Sequence, residues 1–161
     1  MKTLILVRHG KSSWDYNVSD KDRPLKERGI NDAHLVGSNF KPKASDLEAA
    51  FSSPACRALH TAMIVLREFD FSFDRFQVTN HLYDFSGSGV ADFVSNLDNK
   101  LNKVIIFGHN YAFTNIANQW GSVAIDNVPT AGLVQISFNT DRWDSVSRGT
   151  TDHVLFPKQL R

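Results

Sequence analysis

The chain has 161 residues and a formal net charge of +1, and this length predicts one domain over residues 1–161 with a single substantial core. A net charge so close to zero argues against a surface dedicated to nucleic acid or to an anionic membrane. The single cysteine, Cys56, excludes an intrachain disulfide, and the apolar run after Lys2 is too short for a signal peptide or a membrane span, so we expect a cytoplasmic protein.

The first predicted element is a strand that ends in reactive side chains. An apolar run from Leu4 to Val7 stops abruptly at Arg8-His9-Gly10. Continuous apolar runs are typical of buried strands in α/β proteins, and ligands bind outside the carboxyl ends of such strands. Arg8 and His9 are therefore placed where chemistry is possible. For this tripeptide alone, a surface arginine and histidine at a strand-to-loop junction is an equally good interpretation.

A polar loop follows the first strand, from Ser12 to Leu25, and it carries Trp14 and the charged run Asp20-Lys21-Asp22-Arg23. Loops of this length without secondary structure of their own are commonly functional in compact domains. The spacing of apolar residues then predicts a helix from about Lys26 to Phe40.

The second strand is predicted at Asp46 to Phe51, followed by a helix that reaches about Glu68. Ser53 has the residue type of an N-cap, and Pro54 has that of the first helical position. Arg57 would then lie in the first turn of this helix, near the end of its strand. We interpret Cys56 as a small buried residue, because nothing around it would activate a thiol.

A short strand at residues 76–79 is predicted next, followed by a helix capped by Ser86 or Ser88. The fourth strand, Lys103 to Phe107, is apolar and stops just before a histidine, His109. Two strands of the predicted sheet therefore lead into histidines, and two arginines lie near strand ends.

A helix from about Tyr111 to Trp120 follows the fourth strand. The last third of the chain has a different pattern, because residues 132–138 alternate between apolar and polar as a half-exposed strand does. Residues 142–147 are its predicted antiparallel partner. Strands that alternate with helices before a final hairpin predict a three-layer α/β/α domain with a mostly parallel central sheet.

Taken in order, these motifs resemble the histidine phosphatase superfamily, and most closely its small SixA-type phosphohistidine phosphatases. The matching segments are Arg8-His9-Gly10, Asp22-Arg23-Pro24-Leu25, Ser52-Ser53-Pro54 with Arg57 and Thr61, Gly108-His109, and Thr130-Ala131-Gly132. They extend over nearly the whole chain and are specific as an ordered set. The resemblance implies a phosphoglycerate mutase-like fold and a phosphorylated histidine intermediate. Lys26 departs from the threonine that we would expect the family to place there as a helix cap.

The motif residues suit phosphoryl transfer, in which positioned cations stabilise the negative charge of the phosphoryl oxygens. Arg8 and Arg57 can each hold these oxygens through paired N–H donors. His9, kept neutral by the two guanidiniums, is the predicted nucleophile. His109, either protonated or donating through one ring nitrogen, is the predicted third clamp, and the alternative for it is a core histidine bonded to backbone.

Three further residues are predicted to contact the bound phosphate, namely Ser12, Arg23 and Asn110. Ser12 and Asn110 each lie close after a motif residue. For Arg23, a surface ion pair with Asp20 or Asp22 is an equally good interpretation. We expect no metal and no other cofactor, because the chain has no pair of histidines at ligand spacing.

The proton donor is where this chain departs from the wider superfamily, whose phosphomonoesterases and mutases commonly carry a glutamate after the third strand. No glutamate occurs after Glu68, and Asp84 is the candidate substitute. An alkoxide leaving group needs a proton in the transition state, whereas phosphohistidine, once its ring is protonated, can release a neutral imidazole. The missing glutamate therefore favours phosphohistidine in a signalling or phosphotransfer protein as the substrate, and it disfavours mutase activity.

Two other functions are compatible with these residues. A small-molecule phosphomonoesterase would need Asp84 as a working acid. A phosphate-binding module without turnover is the other alternative, although the presence of both arginines and both histidines counts against it. The partner protein and the oligomeric state cannot be read from the residues.

Overall fold

The computed structural model describes all 161 residues and contains six strands and five helices. The strands are β1 (Lys2–Arg8), β2 (Ala49–Ser52), β3 (Phe76–Val78), β4 (Lys103–Gly108), β5 (Leu133–Phe138) and β6 (Thr150–Leu155). The helices are α1 (Glu27–Phe40), α2 (Cys56–Glu68), α3 (Ser88–Ser95), α4 (Ala112–Trp120) and α5 (Pro157–Leu160). None of these helices combines the length and the apolar character that a membrane crossing requires.

All six strands form one mixed sheet in the order β3-β2-β4-β1-β5-β6. The pairs among β3, β2, β4 and β1 are parallel, and β5 is antiparallel to both of its neighbours. Alternate side chains of β1 point to opposite faces, as the pleat of a strand requires. Leu4 and Leu6 therefore join the core beneath α3 and α4, while Ile5 and Val7 join the core beneath α1 and α2. The predicted three-layer architecture is confirmed.

The register of the parallel strands aligns their carboxyl ends. Arg8 at the end of β1 is opposite Gly108 at the end of β4, and the His9 N–H donates to the Gly108 carbonyl at 3.1 Å. On the other side of β4, the Ser53 N–H donates to the Phe107 carbonyl at 3.0 Å. The segments that follow β1, β4 and β2 therefore start next to one another, at one edge of the sheet.

The final hairpin differs from the prediction. The partner of β5 is β6, and residues 142–147 lie outside the sheet. Trp143 is fully buried in a 3₁₀ turn, where its indole N–H donates to the Leu101 carbonyl at 2.9 Å. Burial of a large aromatic ring with a satisfied N–H stabilises this turn at the expense of a strand. The β5 strand itself is buried on both faces instead of alternating, because it lies inside the sheet.

The start of α2 also differs from the prediction. This helix begins at Cys56 with Ala55 as its N-cap, so Ser53 and Pro54 precede it. Ser53 still stabilises the turn, because its hydroxyl accepts a hydrogen bond from the Ala55 N–H at 3.2 Å. Cys56 is exposed at the first helical position, where a buried residue was expected. Arg57 lies in the first turn of the helix, as predicted.

Candidate active site

A cavity of about 300 Å³ opens at the sheet edge where β1 and β2 end. Its lining consists of Arg8, His9, Lys11, Ser12, Trp14, Asp20, Arg23, Arg57, Phe85 and Thr130. Five of the eight predicted site residues are therefore brought together, and His109, Asp84 and Asn110 are not among them. A larger hollow of about 630 Å³ lies against α1 and Arg161, and it contains none of the predicted residues. No group of three or more His, Cys, Asp or Glu side chains is arranged to hold a metal ion.

The His9 ring is held in one tautomer. Its Nδ1 lies 2.7 Å from the Gly10 carbonyl oxygen. Because a carbonyl can only accept a hydrogen bond, Nδ1 carries the proton and the Nε2 of the neutral ring keeps a lone pair. Burial, together with the neighbouring His109, Arg57 and Arg8, lowers the pKa of His9 to about 3 in spite of the Gly10 contact. The ring is therefore neutral at physiological pH, with Nε2 in the state that a nucleophile needs.

The turn that follows His9 is fixed by close contacts with two helices. The Gly10 N–H donates to Thr61 Oγ1 at 2.9 Å, and the Thr61 hydroxyl donates to the Arg57 carbonyl at 2.7 Å. A Cβ atom at Gly10 would lie only 2.7 Å from the Gly29 carbonyl oxygen on α1. Glycine is therefore required at position 10 by the approach of α1, and Thr61 connects the turn after His9 to the helix that carries Arg57.

Arg57 is almost completely buried, at 2% exposure, and it is held by Asp20. One terminal nitrogen of the guanidinium donates to the Asp20 carbonyl, and the other donates to the Asp20 carboxylate at 2.9 Å. The same carboxylate accepts hydrogen bonds from Tyr83 and, at 3.3 Å, from Arg23. Sequence reasoning considered Asp20 only as an ion-pair partner of Arg23 and missed its contact with Arg57, for which the only signal was the dense charge of its loop.

Two guanidinium groups of the site retain unsatisfied donors. Arg8 donates through Nη1 to the Val128 carbonyl at 2.9 Å, but its Nε has no partner. The Nε of Arg57 is also buried and without a partner. An unpaired buried donor costs about 1–3 kcal/mol, and the oxygens of a phosphoryl group are strong acceptors for arginine. Both arginines line the cavity and keep a buried donor without a partner, and their contact with a bound anion stays a prediction.

His109 is fully buried beside Arg57 and does not line the cavity itself. Its Nε2 lies 2.8 Å from Ser53 Oγ, its Nδ1 lies 3.5 Å from a terminal nitrogen of Arg57, and its ring centroid is 5.3 Å from that of His9. Burial and the adjacent Arg57 lower the pKa of His109 to about 3. Of the two forms of clamp predicted for His109, the geometry disfavours the protonated one. A contact between the neutral ring and the substrate stays a prediction.

Arg23 and Ser12 lie together in the cavity wall. Arg23 is 7% exposed, donates to Ser12 Oγ at 2.6 Å and to the Ser13 carbonyl at 3.1 Å, and stacks on the Trp14 ring. The ion pair with Asp20 that was considered for Arg23 does form, but the guanidinium is buried at the cavity and not on an open surface. Both residues line the cavity, and their contact with a bound anion stays a prediction.

The predicted phosphate contact of Asn110 is not supported. Its Oδ1 accepts hydrogen bonds from the Thr114 N–H at 3.1 Å and from the Thr114 hydroxyl at 2.7 Å, while its Nδ2 donates to Asn127 Oδ1 at 2.7 Å. Both ends of the amide are thus used to hold the start of α4. This use of asparagine at a helix start competes with any contact to a ligand.

Asp84 also has a structural role in place of the predicted one. Its carboxylate accepts hydrogen bonds from the backbone N–H groups of Ser86 at 3.1 Å and of Gly87 and Val90 at 3.0 Å, so it caps α3 where Ser86 or Ser88 was expected to do so. Although partial burial acts to raise the pKa of Asp84, these hydrogen bonds lower it overall. An ionised carboxylate that accepts three backbone hydrogen bonds is not arranged to donate a proton.

We predict that Asp84→Ala destabilises the protein by about 1 kcal/mol, because three N–H groups at the start of α3 lose their acceptor. Its catalytic rate on phosphohistidine should stay within a few-fold of the unmodified protein. Urea unfolding and steady-state kinetics measure the two effects. Asp84→Asn, which keeps one oxygen acceptor, is the matched control and should be closer to the unmodified stability. A fall in rate of more than about 100-fold without loss of stability would instead restore the proton-donor role.

Parts of the sequence are similar to proteins of a known family. The profile of the histidine phosphatase superfamily (branch 1) matches residues 4–86. The chain is 39% identical over 70 residues to a 2,3-bisphosphoglycerate-dependent phosphoglycerate mutase from Beijerinckia indica, and 38% identical over 71 residues to one from Staphylococcus aureus. Each match covers 42% of this chain but only 34% and 31% of the respective relatives, so the matched region spans about a third of their length.

Solved structures share the fold over nearly the whole chain. The protein histidine phosphatase SixA in complex with tungstate has a TM-score of 0.81 at 20% identity, with 99% of each chain covered. A mycobacterial glucosyl-3-phosphoglycerate phosphatase in complex with VO3 has a TM-score of 0.68 at 17% identity, covering 95% of this chain and 98% of its own. At these identities the similarity establishes the fold, and it confirms the predicted phosphoglycerate mutase-like arrangement and its likeness to SixA.

Proposed function

Because the chain belongs to the histidine phosphatase superfamily, we propose that it is a phosphatase that transfers a phosphoryl group first to His9 and then to water. One observation carries this proposal: a neutral imidazole with a free Nε2 lines the same cavity as two arginines with unsatisfied donors. A nucleophile and an anion-binding pair are the parts that phosphoryl transfer requires.

The proposed reaction has two steps, and each uses residues of this chain. In the first step, His9 Nε2 attacks the phosphorus atom and the bond to the leaving group breaks. Arg8 and Arg57 stabilise the charge on the peripheral oxygens through donors that are already in place. The hydrogen bond from Nδ1 to the Gly10 carbonyl stabilises the positive charge that the phosphorylated ring acquires. In the second step, water attacks the phosphorus and His9 is released.

For the substrate, we propose phosphohistidine carried by a signalling or phosphotransfer protein. No group is arranged to protonate an alkoxide, because Asp84 caps α3 and Asp20 is an acceptor for Arg57, Arg23 and Tyr83. Phosphohistidine that carries a proton on its other ring nitrogen releases a neutral imidazole, which leaves without such help. The fold shared with the protein histidine phosphatase SixA supports the same substrate class.

The mouth of the cavity also favours a protein substrate. Trp14, at 75% exposure, and Phe85, at 46% exposure, both line it. Exposed aromatic rings beside a site are typical of surfaces that contact other proteins. We therefore propose that the substrate is a phosphorylated protein. We also propose that residues 1–161 form one domain and that the protein acts in the cytoplasm.

The second candidate is a small-molecule phosphomonoesterase, which is favoured by the fold shared with a glucosyl-3-phosphoglycerate phosphatase. Mutase activity, named for the relatives that match about 42% of the chain, is a weaker candidate. It must return the phosphoryl group to an alcohol, and a site without a free carboxylic acid is poorly suited to that step.

A substrate panel tests the proposal. The purified protein should hydrolyse a phosphohistidine protein and phosphoramidate with kcat/KM at least about 100-fold above that for alkyl phosphates and 3-phosphoglycerate. His9→Ala, assayed on each substrate, controls for contaminating phosphatases. Equal rates on alkyl phosphates and phosphohistidine would assign the protein to the phosphomonoesterases. Phosphate binding without turnover of any substrate would identify a binding module.

A further inference from the structure

One carboxylate faces the proposed phosphoryl site, and its role in the reaction is not accounted for. Asp20 is the only acidic residue among the ten that line the cavity. It begins a single 3₁₀ turn, Asp20–Asp22, none of whose residues is buried. Its side chain keeps 42% of its surface exposed, so the fold does not need this group for packing. Its backbone carbonyl and its carboxylate both contact Arg57.

The second step of the proposed reaction needs a group that takes a proton from water, and the other candidates are occupied. His9 is the leaving group of this step, and its Nδ1 donates to the Gly10 carbonyl. His109 lies outside the cavity, with its two ring nitrogens facing Ser53 and Arg57. Arginine cannot accept a proton under these conditions. Asp20 is the one remaining base that lines the site.

We propose that Asp20 is the general base for hydrolysis of phosphorylated His9, an inference that rests on the phosphatase function proposed above. As the water oxygen bonds to phosphorus, one water proton passes to the Asp20 carboxylate. The bond between phosphorus and Nε2 breaks, and its electron pair returns to the His9 ring. Inorganic phosphate leaves, and Asp20 then releases its proton to solvent.

The contacts of Asp20 suit a base that becomes stronger when it is needed. In the resting site, partial burial acts to raise the pKa of Asp20, but hydrogen bonds from Tyr83 and Arg57 lower it to about 2. The carboxylate is therefore ionised before the reaction begins. A bound phosphoryl group competes for the Arg57 donor that now lies 2.9 Å from Asp20, and it adds negative charge nearby. Both changes increase the affinity of Asp20 for a proton.

The same contacts explain why Asp20 would not act as an acid in the first step. It enters that step without a proton, so it has none to give to a leaving group. This agrees with a substrate such as phosphohistidine, whose ring, when already protonated, releases a neutral imidazole. If Asp20 acts as a base in the second step alone, its loss should slow the decay of the phosphoenzyme and not its formation.

The test separates the two steps. Rapid mixing of excess enzyme with radiolabelled phosphoramidate, followed by an alkaline quench, gives the rates at which phosphohistidine forms and decays. Asp20→Asn keeps an oxygen acceptor for Arg57 but cannot take a proton at this position. We expect its rate of formation to stay within about 3-fold of the unmodified protein, and its rate of decay to fall by about 10²–10³-fold, so that the phosphoenzyme accumulates.

Two further variants make the result specific. Asp22→Asn changes a carboxylate in the same turn that contacts only the Ser19 hydroxyl, at 3.0 Å, and it should leave both rates unchanged. Asp20→Glu retains a carboxylate and should recover part of the decay rate. The inference is overturned if Asp20→Asn slows both steps equally, since Asp20 would then only position Arg57, or if decay is unaffected. Failure of the proposed function would appear earlier, as an unmodified protein that forms no phosphohistidine.

Discussion

Replacing His9 by alanine is expected to reduce phosphatase activity by roughly 10⁶-fold, to the background of the assay, as the loss of a catalytic nucleophile does in other enzymes. The reason is that no other side chain of the cavity presents a neutral ring nitrogen with a free lone pair. His109 cannot substitute, because its nitrogens face Ser53 and Arg57. Steady-state hydrolysis of phosphoramidate and of a phosphohistidine protein measures the effect.

The fold should survive this change, because His9 follows the end of β1 and contributes little to either apolar core. Circular dichroism and urea unfolding of the His9→Ala protein measure whether the fold and its stability are retained. His60→Ala is the matched control, since it removes an exposed histidine from α2 and should leave the activity unchanged. Activity above about 1% of normal in a properly folded His9→Ala protein would argue against the nucleophile assignment.

The second large effect is expected for Arg57→Lys, which should lower kcat/KM by about 10²–10³-fold. The guanidinium contacts Asp20 through two nitrogens and keeps a third, Nε, without a partner. An ammonium group cannot hold Asp20 and paired phosphoryl oxygens with one planar set of donors, although its charge is the same. The loss should therefore reflect geometry more than charge.

Arg67→Lys is the control for this prediction, because it makes the same substitution at an exposed position of α2. It should be indistinguishable from the unmodified protein in kcat/KM and in the inhibition constant for tungstate. For Arg57→Lys, the inhibition constant for tungstate should rise as kcat/KM falls. A nearly normal kcat/KM would mean that Arg57 serves only to anchor the loop that carries Asp20.

The central part of the fold could be predicted because its signals are local. The apolar run Leu4–Val7 needs only its own residues to identify a buried strand, and the same holds for β4. The final antiparallel hairpin was predicted, but its second strand was placed at residues 142–147 in place of β6, because the path of that segment depends on a distant contact. Trp143 donates to the Leu101 carbonyl, 42 residues away, and is fully buried in a turn outside the sheet. The alternation of apolar and polar residues along a short segment carries no information about a contact with a residue as distant as Leu101.

The site shows the same division. The shared location of His9, Arg8 and Arg57 could be predicted, because strand ends and a helix start come together at one edge of such a sheet. Asp20 could not be found in this way, because it reaches Arg57 across 37 residues and only through the path of its loop. Asn110 was assigned from its nearness to a motif residue, and Asp84 as the substitute for a missing glutamate. Their side chains instead bind backbone N–H groups, which compete with ligands for short polar side chains at helix starts.

The central claim is that the phosphoryl group passes through His9, and trapping the intermediate tests it most directly. The unmodified protein, mixed with radiolabelled phosphoramidate and quenched within milliseconds, should carry phosphate that is stable in alkali and labile in acid. Peptide mapping should place the label on His9, and the His9→Ala protein should carry none. Label on Ser12, on Cys56 or on a carboxylate, or turnover without any labelled protein, would contradict the claim.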